Sequence, residues 1–232
     1  MTETPYGKKQ PGTSGFVIVA PHAAGDDLKT GYIARKLAER LNGFAVINTV
    51  YKKPTNKKAR PEIAEDFNQL TWWVAGQKYL WFKPKRRHPA MRQFFKDIQQ
   101  YVEQARTFRS DNKAVCIHIH GMKSSAAGID LGAGIPHKDS TFEKNTGTST
   151  LENTLLFKFQ SELETAISKY SNLPVTIGVY SGGSRQSAIQ FHAHGKNNDH
   201  AVQIEISSFF RLEKEKRHFI IQTLSETLSK IF

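Results

Sequence analysis

Cysteine is nearly absent: Cys116 is the only one in 232 residues. No internal disulfide can brace such a chain, and a reducing, cytoplasmic compartment is the natural one. Long apolar runs are also missing. No stretch approaches the ~18 uninterrupted apolar residues of a membrane helix, so a helical membrane span is not expected. The apolar residues come instead in short periodic groups suited to a globular core. Residues 1–14 contain no apolar segment resembling the core of a secretory signal and are read as a short flexible tail. The remainder, 15–232, is read as one domain, since no long linker divides it. Negative charge is scarce too, with 21 Asp plus Glu against 33 Lys plus Arg, a formal net charge of +12. A field of that sign draws anions, whether nucleic acid, phosphate or carboxylate substrates. Its densest parts are Tyr51 to Arg60 and Lys83 to His88, which suit either a polyanion surface or solvated basic loops.

What is present has α/β punctuation. Phe16 to Ala20 is a short apolar run closed by Pro21-His22, as in a buried strand. A polar loop follows, then a helix with Ile33, Leu37 and Leu41 in line and Asn42-Gly43 at its end. Phe44 to Val50 is the next strand. The stretch from 51 to 88 is read as an insertion, with a short helix near Pro61 to Leu70 and the aromatics Trp72, Trp73, Tyr79, Trp81 and Phe82. Those rings suit packing onto the core, a lid, or a nucleic-acid surface. Met91, Phe94, Phe95, Ile98, Tyr101, Val102 and Ala105 then keep a helical stripe. Lys113 to His120 is a strand, and Gly121 to Thr148 a long loop rich in Gly, Ser and Ala. Ser149 and Glu152 have capping-box spacing before a helix carrying Leu155, Phe159, Leu163 and Ile167. Val175 to Tyr180 and Ala201 to Ile206 are further strands, and a last helix shows Phe219, Leu224, Leu228 and Ile231. Strands alternating with helices predict a three-layer α/β/α domain on a mixed, mostly parallel sheet.

Three of these strands end on polar residues suited to one task. His22 follows the first, with Asp26 and Asp27 in the loop beyond; His118 and His120 close the third; Glu205 lies late in an apolar strand, Val202 to Ile206. In open α/β sheets the carboxyl ends of strands converge on one crevice. Two imidazoles and a carboxylate form a catalytic zinc set with a fourth position open. Each residue also has an ordinary role: a strand-end histidine commonly makes a structural hydrogen bond, and an aspartate before a helix commonly caps it. His118 and His120 are two apart on one strand and share a face, so periodicity cannot choose between them. A carboxylate within an apolar strand needs a partner or a function, which singles out Glu205.

The segment Val19-Ala20-Pro21-His22-Ala23-Ala24-Gly25-Asp26-Asp27 resembles the opening motif of the N-formylglutamate amidohydrolases and of the related phage-type poly-γ-glutamate hydrolases. In those families a strand ends in Pro-His and a metal-binding carboxylate follows, commonly Glu. The spacing to Asp27 is similar, but an aspartate stands there and Asp26 is beside it, so the choice between the two stays open. Ile117-His118-Ile119-His120-Gly121 resembles the strand that brings the last histidine ligand, and its His-Gly pair points to His120, with His118 behind it. Gly128 to Gly132 resembles an Asp-Leu-Gly segment of the family, and Gln203-Ile204-Glu205 its Gln-Ile-Glu block. The resemblance implies a zinc carboxypeptidase-like fold, a zinc ion on His22, Asp27 and His120, and Glu205 as general acid/base. Arg211 is offset from the carboxypeptidase pattern and receives no role.

The implied reaction is hydrolysis of an N-acyl amino acid or γ-glutamyl amide. A cation near the metal would hold the substrate carboxylate and offset charge on the carbonyl oxygen. Arg185, in the Gly-rich loop Tyr180 to Arg185, is the first candidate, followed by Lys52, Lys53 and Asn56. His192 and His194, in a polar loop, could join the site, but a surface position is the favoured expectation. A serine hydrolase through Ser181 or Ser184 ranks low, because Tyr-Ser-Gly-Gly-Ser lacks the Gly-x-Ser-x-Gly nucleophile elbow. The competing reading is a nucleic-acid-binding protein without catalytic activity. It accounts for the charge but leaves the strand-end histidines and Glu205 as coincidence.

Overall fold

The computed structural model describes residues 1–25, 27–52, 67–68, 89–134, 148–179, 188–193 and 198–232. Asp26, Lys53, Asn56, Arg185 and His194 lie outside them, as do Ser181, Ser184, Trp72, Trp73, Tyr79, Trp81, Phe82 and most of both basic stretches. Among the described residues, eight strands form one sheet: β1 (Thr2–Thr4), β2 (Gly7–Gln10), β3 (Phe16–Ala20), β4 (Phe44–Asn48), β5 (Val115–Met122), β6 (Ile129–Gly132), β7 (Val175–Ile177) and β8 (His200–Ser207). Their spatial order is β1-β2-β4-β3-β5-β8-β6-β7. The central run β4-β3-β5-β8 is parallel, while β2 joins β4 and β6 joins β8 antiparallel.

Alternation along the strands makes two cores. Phe16, Ile18, Ala20, Ile117 and Ile119 face one layer, where α1 (Thr30–Leu41), α3 (Asn153–Ser168) and α5 (Lys214–Ile231) pack. Val17, Val19, Val46 and Cys116 face the other, against α2 (Pro89–Arg106). Between β8 and α5 sits the short α4 (Ser208–Leu212). The three-layer α/β/α architecture and the mixed, mostly parallel sheet are therefore as the sequence predicts. The helical stripes also bury as read: Ile33, Leu37 and Leu41 in α1, and Met91 through Ala105 in α2. Asn42 takes a left-handed conformation at φ 50° and its N–H closes α1 onto Ala38 and Glu39.

Four local expectations are corrected. Residues 2–10 are not a flexible tail but the hairpin β1–β2 on the edge of the sheet. One aromatic anchors it: Tyr6 is fully buried, packs edge-on against Phe94, and its hydroxyl donates to Asp97 at 2.7 Å. The polar composition belongs to an edge that stays open to water. The long loop after His120 also hides structure, because β5 runs on to Met122 and β6 follows. β6 is four residues buried on both faces, too short and too uniform to show a period. The capping box is not made: Ser149 Oγ donates to the Leu151 carbonyl, and Glu152 precedes α3 without a side-chain cap. Finally, His192 is not a surface residue. It is fully buried in a short 3-10 turn, Ala188–Ala193.

Candidate metal centre

The loop after β3 folds back on itself, with the Asp27 N–H on the His22 carbonyl at 3.2 Å. Helix α1 begins just beyond, where the backbone carbonyl of Asp27, not its carboxylate, accepts from Thr30 N and Oγ1. The carboxylate is thereby released from capping and turns across the sheet. Its Oδ2 accepts from the Gly121 N–H at 3.1 Å and lies 3.5 Å from Nδ1 of both His22 and His120. The two imidazoles meet edge to face, with ring centroids 4.9 Å apart at 83°. Both rings are buried, and Asp27 is nearly so.

The ligand atoms of His22, Asp27 and His120 all lie within 4.8 Å of one another. The contacts of 3.5 Å are long for an N–H···O hydrogen bond. They suit the edge of a tetrahedron, about 3.3 Å for zinc bonds of 2.0–2.1 Å. Burial alone would raise the Asp27 pKa, but the two histidines outweigh it and hold the carboxyl well below its ordinary range. A metal-binding carboxylate must be ionised, and this shift favours that form. On these grounds the residues fit a divalent metal such as zinc.

Glu205 stands directly opposite His120 in the parallel register of β5 and β8. Its neighbour on the other side is Asp130 of β6, whose Oδ1 is taken by Thr176 Oγ1 at 2.6 Å and the Val179 N–H at 3.1 Å. Gln203 Nε2 donates to Glu205 Oε1 at 3.0 Å, two residues along the same face. Burial pushes the Glu205 pKa up and the Asp27 charge adds to this, against the opposing pull of His120 and Gln203. A carboxyl raised in this way holds a proton more readily than an ordinary glutamate. Of the expected cationic residues, Lys52 alone falls within the described residues. It is exposed, and a Cβ built on Gly25 would lie 4.0 Å from its Nζ, so the ammonium overhangs the loop between His22 and Asp27.

No protein-family model matches the chain, and no curated protein matches it. Solved structures do. N-formylglutamate amidohydrolase from Ralstonia eutropha JMP134 aligns at a TM-score of 0.56 and 13% identity, over 95% of this chain and 93% of that one. A gene product of Agrobacterium tumefaciens gives 0.56 and 13%, over 97% and 93%. A bacteriophage poly-γ-glutamate hydrolase gives 0.51 and 9%, over 96% and 87%. The chain shares the fold of these three structures.

Three residues gain contacts that sequence reasoning did not give them. His118 lies one pleat before His120 and meets His192, Nε2 to Nε2, at 2.9 Å. Gln203 holds Glu205, and a polar residue two positions before it on one face was a legible but weak hint. Arg211 is buried beneath the centre, its guanidinium spread over backbone carbonyls. Nothing in the residues around Arg211 announces that burial, since an arginine in a short helix is ordinarily at the surface.

Proposed function

We propose that this protein is a zinc-dependent amide hydrolase acting on an N-acyl amino acid or a γ-glutamyl substrate. The observation that carries the reading is the convergence of His22, Asp27 and His120 within 4.8 Å, with Glu205 across the strand from His120. The likeness in fold to an N-formylglutamate amidohydrolase and a poly-γ-glutamate hydrolase supports the substrate class. So does the net charge of +12, which favours substrates bearing free carboxylates. A cytoplasmic setting belongs to the same reading, supported by the buried, unpaired Cys116.

His22 Nδ1, His120 Nδ1 and the Asp27 carboxylate would hold the ion. When bound, zinc supplies a Lewis acid for the amide carbonyl and makes water acidic enough, with a pKa of about 7, to act as a nucleophile. Glu205 takes the proton from the attacking water and passes it to the departing amine nitrogen. Its Oε2 is the atom for this task, because Oε1 already accepts from Gln203. Gln203 thereby fixes the carboxylate plane, and the raised pKa of Glu205 lets it both accept and return a proton. Lys52, above the ligand loop, would bind a substrate carboxylate; Arg185, Lys53 and Asn56 are proposed for the same purpose.

Metal analysis of the purified protein, with His22→Ala, His120→Ala and Glu205→Gln, tests this. Wild type should carry one zinc per chain, both alanine variants should lose it, and Glu205→Gln should keep it. Turnover of N-formylglutamate, other N-acyl amino acids or γ-glutamyl oligomers should fall about 10²- to 10⁴-fold in Glu205→Gln. Full activity of that variant on a confirmed substrate would remove Glu205 from its role. Separate alanine variants of Asp26 and Asp27 decide the carboxylate ligand.

A further inference from the structure

Arg211 is 3% exposed, which is unusual for an arginine, and no carboxylate among the described residues pairs with it directly. Its donors go to backbone instead. Nε donates to the Ile206 carbonyl at 2.8 Å, Nη2 to the Met122 carbonyl at 2.7 Å, and Nη1 to the Leu28 carbonyl. These acceptors belong to three separate segments. Ile206 follows Glu205, Met122 lies two past His120, and Leu28 follows Asp27. One rigid planar group thus joins the three pieces of chain that carry the metal-site carboxylate, its histidine partner and the glutamate.

Gly121 shows how closely the parts are fitted. A Cβ on this residue would stand 2.5 Å from Arg211 Cζ and 2.7 Å from Nε, so any side chain would expel the guanidinium. The Gly121 N–H in turn donates to Asp27 Oδ2 at 3.1 Å. Arg211 therefore reaches Asp27 by two routes: through the Leu28 carbonyl on the loop itself, and through Gly121 packed against the guanidinium. Burying a guanidinium on carbonyl dipoles is costly compared with a hydrophobic side chain of similar size. The anions that offset its charge are Asp27 and Glu205, the two carboxylates of the site.

We propose that Arg211 is a positioning residue for the metal centre, holding Asp27 Oδ2 between the imidazoles of His22 and His120. The inference rests on the zinc reading above. It also gives the His120-Gly121 pair a physical reason: the residue after the histidine must leave room for the arginine.

The test uses the full chain, stripped of metal and then titrated with zinc in competition with a chelator of known affinity. Arg211→Lys keeps the charge but cannot span three carbonyls; Arg211→Gln removes the charge as well. Both should bind zinc about 10- to 100-fold more weakly than wild type, the range for groups that orient metal ligands. Cobalt(II) loaded in place of zinc should show an altered visible band in both variants, a change that a loss of stability alone would not produce. Far-UV circular dichroism of the metal-free proteins identifies a variant that has not folded. Should Arg211→Gln fail in this way, Arg211→Lys carries the comparison. Wild-type zinc affinity and an unchanged cobalt band in Arg211→Lys overturn the inference and leave the zinc reading intact. A wild-type protein that binds no zinc overturns that reading, and the inference with it.

Discussion

Between His118 and His192 there is room for one hydrogen. Their Nε2 atoms are 2.9 Å apart, so one ring donates and the other accepts, and the acceptor must carry its own proton on Nδ1. Neither Nδ1 has a hydrogen-bond partner among the described residues. Protonating either ring would place a charge in a closed interior, and burial pushes both pKa values down, that of His192 to about 4 from an ordinary 6.5. The sign of the stability effect follows. Below the ordinary value the unfolded chain takes up a proton that the folded chain refuses, so folding weakens as pH falls. The contribution of His192 is complete above about pH 6.5 and lost by about pH 4, on the order of 3 kcal/mol over that window. Urea midpoints measured between pH 7 and pH 4.5 should fall steeply in wild type. They should fall less steeply in His192→Gln, whatever its absolute stability. Parallel curves for the two proteins would show that this imidazole is not the one being charged.

The edge hairpin and α2 make the same point for elements. β1–β2 contributes little apolar surface, and besides its ladder with β4 it is tied to the domain through one carboxylate on a helix far away in sequence. Asp97, itself 1% exposed, accepts from the Tyr6 hydroxyl at 2.7 Å, from Lys9 Nζ at 2.9 Å and from Gln93 Nε2 at 2.9 Å. Burial pushes the Tyr6 pKa far up, and the neighbouring Asp97 carboxylate adds to the shift. The phenol therefore stays a donor at any working pH. Asp97→Ala would strand that hydroxyl and leave the Lys9 ammonium without its counter-charge, costing about 3 kcal/mol. Chemical denaturation should report that loss, and limited proteolysis should cut first within residues 1–14. If the variant is as stable as wild type, the hairpin is held by its ladder with β4 alone. Elsewhere the junction of β6 with β7 depends on Gly128. Its φ is +65°, and a Cβ there would lie 2.0 Å from the Pro174 carbonyl oxygen.

Over the whole molecule, the excess of basic charge acts at a distance that no single contact covers. If substrates are anionic, their capture should weaken as salt screens the field, whose range shrinks from about 30 Å at 0.01 M to about 8 Å at 0.15 M. KM for an N-acyl glutamate should rise across that interval, more than for an N-acyl alanine with one carboxylate fewer, while kcat changes little. Equal salt sensitivity for the two substrates would refute steering by charge. The sequence alone determined the local elements: α1 and α2 from apolar residues recurring along one helical face, β3 and β5 from short apolar runs closed by His22 and His120, and the alternation that implies three layers. It also marked Glu205, because a carboxylate in an apolar strand needs a reason to be there. Only the tertiary structure decided that β8 lies beside β5, which sets Glu205 opposite His120. Tertiary structure likewise freed the Asp27 carboxylate from capping α1, closed His192 away from water, and drew Arg211 under the ends of β5 and β8 and the loop after β3. The reason is physical. Periodicity records which face of an element is buried, whereas the meeting of side chains depends on strand order and on backbone groups that carry no residue-specific signal.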